Sequence, residues 1–243
     1  MINATPSSPL LDLATSIKIL LMIIFIIILI VGSTYLMLKA RKIEFKTTKR
    51  VLQGYASFGF CFSATRVFFL ISTYEGRINP QTEQTAFYNN IAVVSAYAVT
   101  MASIVFIFLV VERFILVHKP VFATIALISF CVDIVALVFT FLNLMFGTMS
   151  PKDLANFIQT ALSPILGLAI CVLYIIIIRN SAGSVKRKAI ETFVGVFLLL
   201  LGIVLDISAF DSLLGTSIFN AIRLVTTPAL FIIGVLIVFH SIK

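Results

Sequence analysis

Apolar residues in this chain gather into seven long stretches separated by short polar ones, at 10–38, 51–73, 91–117, 121–147, 157–178, 190–214 and 217–240. A helix needs about 20 predominantly apolar residues to cross a bilayer, and each stretch is long enough. The pattern predicts an all-α, polytopic membrane protein. Its seven transmembrane helices form a single domain over 1–243, with little sequence left for anything else. The first run far exceeds the 7–15 apolar residues typical of a signal peptide, and no basic segment precedes it, so it reads as a retained helix. Asn3-Ala4-Thr5 fits a glycosylation sequon but is short and close to the membrane.

Composition agrees. The chain is 60% hydrophobic and only 12% charged, where a soluble domain carries about 25% charged residues. The formal charge of +8 raises nucleic acid as a partner, but its distribution points to lipid instead. Lys39, Arg41, Lys42, Lys46, Lys49 and Arg50 follow the first stretch, Arg113 and Lys119 the third, and Arg179, Lys186, Arg187 and Lys188 the fifth. Alternate linkers hold only Arg77 and Lys152, each beside acids. Basic linkers stay on the cytoplasmic side. The N-terminus is therefore expected outside and the C-terminus in the cytoplasm, in the plasma membrane. Trp is absent, which leaves interfacial anchoring to residues such as Tyr35, Tyr55, Tyr74 and Tyr88. The polar linker 74–90, with Gly76 and Asn79-Pro80 as turn signals, is expected to cap the outer face.

Candidate chemistry is sparse. Cys61, Cys131 and Cys171 fall inside spans, read as small core residues, and offer no loop disulfide. No metal-ligand spacing, nucleophile–base arrangement or phosphate loop is present. His118 and His240 both sit at the cytoplasmic edge. No cofactor and no enzymatic activity are expected.

Charges inside spans are expensive and default to functional candidates. Arg66, Asp133, Asp206 and Arg223 are the four singled out. All fall in the middle to outer part of the bilayer, and their charges cancel. Each lies on a stripe of small or polar residues at helical spacing: Gly59-Ser63-Arg66, Ser129-Asp133-Ala136-Thr140, Gly195-Gly202-Asp206 and Arg223-Thr227-Gly234. Such stripes mark helix–helix faces. Gln159, Ser163, Ser95, Tyr97 and Thr100 add polarity at the same level. Three readings stay open: salt bridges that only fix packing, a ligand site in a polar cavity open to the outside, or an ion pathway.

The third stretch ends Val111-Glu112-Arg113-Phe114, followed by His118 and Pro120. This resembles the acid-Arg-aromatic signature of rhodopsin-like G-protein-coupled receptors. Thr227-Pro228-Ala229-Leu230-Phe231 is similar to that family's Asn-Pro-x-x-Tyr with two substitutions, and Pro164 falls where a family proline would. The chain departs from the family in lacking a Trp-x-Pro in helix six, an outer-loop disulfide, a helix-four Trp and an eighth helix. The layout also resembles microbial rhodopsins, but the seventh stretch has no Lys for retinal before Lys243. A third, generic likeness is to seven-helix sensor regions of prokaryotic signalling proteins. The resemblances imply a receptor-like or sensor-like protein. Arg66, Asp133, Asp206 and Arg223 would bind a small ligand from the outer side, and Glu112 and Arg113 would form a switch or a surface for a cytoplasmic signalling partner. The alternatives are a small seven-helix transporter and a structural subunit of a membrane complex. Oligomeric state is not legible. Pro164 and Pro228 both lie in the second half without partners in the first, which counts against the matched repeats of transporters.

Overall fold

The computed structural model describes residues 9–78, 83–116, 119–144, 150–206 and 217–242, with side chains described except at 9–12, 74–78, 83–86, 204, 206 and 217–218. Among these residues there are helices and no strands. The helices are α1 (Pro9–Arg41), α2 (Lys46–Ile78), α3 (Glu83–Phe108), α4 (Val121–Phe141), α5 (Pro151–Asn180), α6 (Gly183–Asp206) and α7 (Ser217–Ile242). α3 runs directly into a π-helical segment, Leu109–Ile115. Among the described residues six helices are long and apolar enough to cross a membrane: α1, α2, α3 with its π extension, α4, α5 and α7. α6 opens on Lys186, Arg187, Lys188 and Glu191, and its apolar run begins only at Thr192.

Short linkers make sequential helices antiparallel, and cross-contacts fix the directions. Tyr97, near the middle of α3, meets Asn156 in the second turn of α5. Arg223 joins the start of α7 to the end of α6, and Thr192 with Ser241 joins the start of α6 to the end of α7. The bundle thus has an N pole, where α1, α3, α5 and α7 begin, and a C pole, where they end. Each helix packs on its neighbours in sequence, and α7 closes the ring against α1. α3 also packs on α5 across the ring and is the most deeply buried span.

Lipid is as apolar as Leu, so helices associate through close packing rather than through burial of apolar surface from water. The small-residue stripes supply that closeness. On α4, Ala123, Ala126, Ser129, Asp133, Ala136 and Thr140 are all buried, while Ile128, Val135 and Val138 of the same helix are exposed. Between α6 and α7 a Cβ on Gly195 would sit 2.7 Å from the Gly234 carbonyl oxygen, and the reverse holds for Gly234. Gly59 of α2 meets Ser33 of α1. Large aliphatic side chains such as Leu20, Val31, Leu168 and Ile233 point away from the bundle.

Several expectations are corrected. The fourth stretch stops being helical at Phe141, because Asn143 adopts a left-handed φ of 52°, a conformation Asn tolerates at helix ends; its expected end at 145–147 lies outside the described residues. The 74–90 linker is largely helical: α2 extends through Gly76 to Ile78 and α3 starts at Glu83, with Ser72 donating to the Asn89 amide oxygen between them. Asn79-Pro80 lies outside the described residues. Cys131 is exposed on the lipid side rather than in the core. Tyr55 is no interfacial anchor. It is 3% exposed, and its hydroxyl lies 2.6 Å from that of buried Tyr174. That hydrogen bond ties α2 to α5 through the bundle interior in the C-pole half.

Candidate functional site

In the N-pole half, α2 turns Arg66 inward, where it is 5% exposed. Its guanidinium carbon lies 4.2 Å from the ring centroid of Phe231, 5.0 Å from Phe62 and 5.8 Å from Phe69. Phe25 of α1 stacks on Phe231 at 5.4 Å and meets Phe62 edge-on at 5.8 Å. Gly202 of α6 leaves room for this, since a Cβ there would lie 2.8 Å from the Phe231 ring. Four helices therefore build an aromatic box around one cation. A desolvated cation–π contact is worth about 2 kcal/mol or more, which offsets part of the cost of burying the charge. The box was not legible in the sequence, because nothing distinguishes Phe25, Phe62 and Phe231 from the other phenylalanines of so Phe-rich a chain.

Asp133 lies on the far side of α3 from Arg66. It is fully buried, at 0% exposed, and neither carboxylate oxygen has a hydrogen-bond partner among the described residues. Tyr97 of α3 is within electrostatic reach of it, and Tyr97 donates its hydroxyl proton to the Asn156 side-chain oxygen at 3.1 Å. The neighbouring turns fix where α5 stands. Ala136 of α4, Ala155 of α5 and Val94 of α3 pack together, with Tyr97 and Leu137 against them. One turn from Ala136 toward the C pole is Asp133, and one turn from Ala155 in the same direction is Gln159. Ser163 follows a turn later. The Gln159 carbonyl oxygen and the Ser163 hydroxyl are also buried without a hydrogen-bond partner among the described residues. Helical spacing thus sets the Asp133 and Gln159 oxygens at one level of α4 and α5, with Ser163 a turn further along α5, a column of buried oxygen atoms that lack donors among the described residues.

A second polar group sits at the start of α7. Arg223 is half-buried and donates from Nη1 to the Leu205 carbonyl at 3.3 Å, satisfying a carbonyl in the last turn of α6. The Thr227 hydroxyl, one turn on, is buried and without a hydrogen-bond partner among the described residues. Asp206 ends α6, but its carboxylate lies outside the described side chains, as do its expected pairings with Arg66 and Arg223. Lys18 of α1 is a further charge within a span that the sequence reading passes over, and it is half-buried.

At the C pole, Glu112 is 3% exposed within the π segment. Its carboxylate accepts from the backbone N–H groups of Phe122 at 3.1 Å and Ala123 at 2.9 Å. These are orphan donors of the first turn of α4, and the negative charge also meets the positive end of that helix. Glu112 is thus a capping group supplied by a neighbouring helix. Arg113, adjacent in sequence, is exposed. Basic residues continue around this pole, with Arg50 over the Phe114 ring at 5.8 Å. Two surface grooves lie elsewhere: an apolar one between α1 and α7 near the N pole, and one between α6 and α7 lined partly by Glu191 and His240.

Among the described residues no group of His, Cys, Asp and Glu side chains has metal-binding spacing. No known protein family, curated protein or solved structure matches this chain.

Proposed function

We propose that this protein is a receptor-like or sensor-like membrane protein with seven spans, its N pole outside and its basic C pole in the cytoplasm, and that a small ligand binds inside the N-pole half. The observation that carries this reading is the Asp133 carboxylate, fully buried with both oxygens lacking a hydrogen-bond partner among the described residues. Most buried polar groups in native structures have partners, so a fully buried carboxylate without one calls for a partner that the described residues do not supply. α6 would be the seventh span, with its first turns among the basic residues of the C pole.

The packing supports a route from such a site to the cytoplasmic face. α4 carries Asp133 at its middle and is capped at its start by Glu112. α3 carries Tyr97 beside the first and Glu112 itself. A ligand that favours one spacing of α3 and α4 would alter the cap and present Arg113 and the neighbouring basic surface differently. Such a shift requires different affinities for the two arrangements.

Cysteine labelling tests the reading. In a background lacking Cys61, Cys131 and Cys171, single cysteines at Ser163 and Thr227 are treated with an impermeant thiol reagent from each side of sealed vesicles. Labelling from the N-pole side alone is the expected result. Labelling of the same positions from both sides would replace the receptor reading with transport, and no labelling from either side would leave a structural subunit.

A further inference from the structure

The orphan atoms at the α3–α4–α5 junction share one chemical property: they are acceptors. Asp133 supplies two carboxylate oxygens and Gln159 a carbonyl oxygen, while the Ser163 hydroxyl can accept as well as donate. None has a hydrogen-bond partner among the described residues, and Asp133 has no ion pair there. Arg66, a buried cation on the other side of α3, meets the faces of Phe231, Phe62 and Phe69. Tyr97 of α3, within electrostatic reach of Asp133, donates its hydroxyl proton to Asn156.

A single buried carboxylate with neutral oxygens around it is complementary to one positive charge that carries or accepts several oxygen contacts. A divalent ion would leave a net charge in a water-excluded place, where unpaired charge is most costly. An anion would face like charge. From this geometry we propose that the site takes a small monovalent cation, either an organic ammonium group or an alkali ion. Asp133 is the charged partner, and Gln159 and Ser163 are neutral acceptors along α5. The Tyr97 ring, on the third wall, adds a surface of the kind that attracts cations. This assignment rests on the functional reading above and names the ligand class of the same site.

The test uses the full chain in lipid nanodiscs, carrying a single cysteine at Ser163 in the cysteine-free background. The rate of labelling by an impermeant thiol reagent is measured with no addition and with butylammonium, sodium, n-butanol or butyrate at matched ionic strength, magnesium, a divalent ion that the site is expected to refuse, serving as the counter-cation. The expected result is slowing of labelling by at least fivefold with butylammonium or with sodium, saturable, absent with n-butanol and butyrate, and lost in Asp133→Asn. Protection by butylammonium alone assigns an organic ammonium ligand, and protection by sodium alone assigns an ion site. A cysteine that labels readily but is protected by n-butanol or butyrate, or by nothing tested, overturns the cation assignment while the accessible site stands. A cysteine that never labels overturns both. Thermal melting of Asp133→Asn and of the Ser163 cysteine variant distinguishes a lost site from a lost fold. Asp133→Asn folded and unprotected is the expected outcome; Asp133→Asn folded and still protected would remove Asp133 from the site.

Discussion

Two residues with the same kind of burial have opposite circumstances. Arg66 sits within an aromatic box that compensates its charge in part, whereas the Asp133 carboxylate has no donor among the described residues. Asp133→Asn therefore removes a buried charge at little steric cost. It is expected to raise the thermal midpoint of the ligand-free protein, by a stability gain on the order of 1–3 kcal/mol. A lowered midpoint in thermal unfolding would mean the carboxylate has a donor after all. The Tyr55–Tyr174 pair makes the contrary case of a satisfied polar contact. Tyr55→Phe and Tyr174→Phe should each cost about 1 kcal/mol, and the double mutant little more than either single. Additive losses in a double-mutant cycle would show that the two hydroxyls do not act on one another. At this scale the sequence singled out the charged residues inside apolar runs and said little of their surroundings. Asp133 and Arg66 stood out because charges in apolar runs are rare. Tyr55 was misplaced at the interface because its partner, Tyr174, lies 119 residues away.

Among elements, α4 shows what the hydrophobic pattern can and cannot determine. Its stripe of small residues was readable at helical spacing and faces other helices as expected. Its end was not readable, since 142–147 is as apolar as a span while the backbone turns at Asn143. Its beginning depends on Glu112, which belongs to another helix. Glu112→Ala leaves the N–H groups of Phe122 and Ala123 without their acceptor and is expected to cost about 2–3 kcal/mol. Hydrogen exchange at residues 121–124 should quicken more than at the start of α5, whose cap is its own Ser150. Equal changes at both helices would indicate a general loosening instead. The acid-Arg-aromatic resemblance had directed attention to Glu112 for its place beside Arg113, but the structure gives its carboxylate to α4. The α6–α7 contact permits a sharper substitution. Gly195→Val places side-chain atoms against the Gly234 carbonyl, backbone that cannot swing aside. It should separate the two helices and lower the thermal midpoint, more than Gly183→Val, where nothing lies within 4 Å of an added Cβ and the strain is that of the left-handed φ alone.

For the whole molecule, the seven described helices, in a closed ring with α3 drawn inside, put the polar residues of the two halves at different levels. The N-pole half holds the aromatic box and the column of acceptors, and the C-pole half the tyrosine pair and the α4 cap. The helical architecture was legible because twenty-residue apolar runs admit few alternatives. The juxtaposition of α3, α4 and α5 was not, since sequence spacing says nothing of which stripe meets which. The orientation proposed above follows from the basic linkers. A reporter fused after Lys243 is expected to be protected from protease added outside intact cells, while a tag before Met1 is digested. The reverse pattern would move the acceptor column to the cytoplasmic side.

α4 is also the shortest of the seven. Its 21 residues span about 32 Å at 1.5 Å per residue, close to the roughly 30 Å of hydrocarbon in a typical bilayer. α5 has 30 residues and can tilt or protrude to suit a thicker membrane. α4 has no such reserve, because Glu112 fixes one end and the turn at Asn143 the other. A change in acyl-chain length therefore falls on this helix first, and with it on the depth of Asp133, which makes bilayer thickness itself a variable to which the buried carboxylate is exposed.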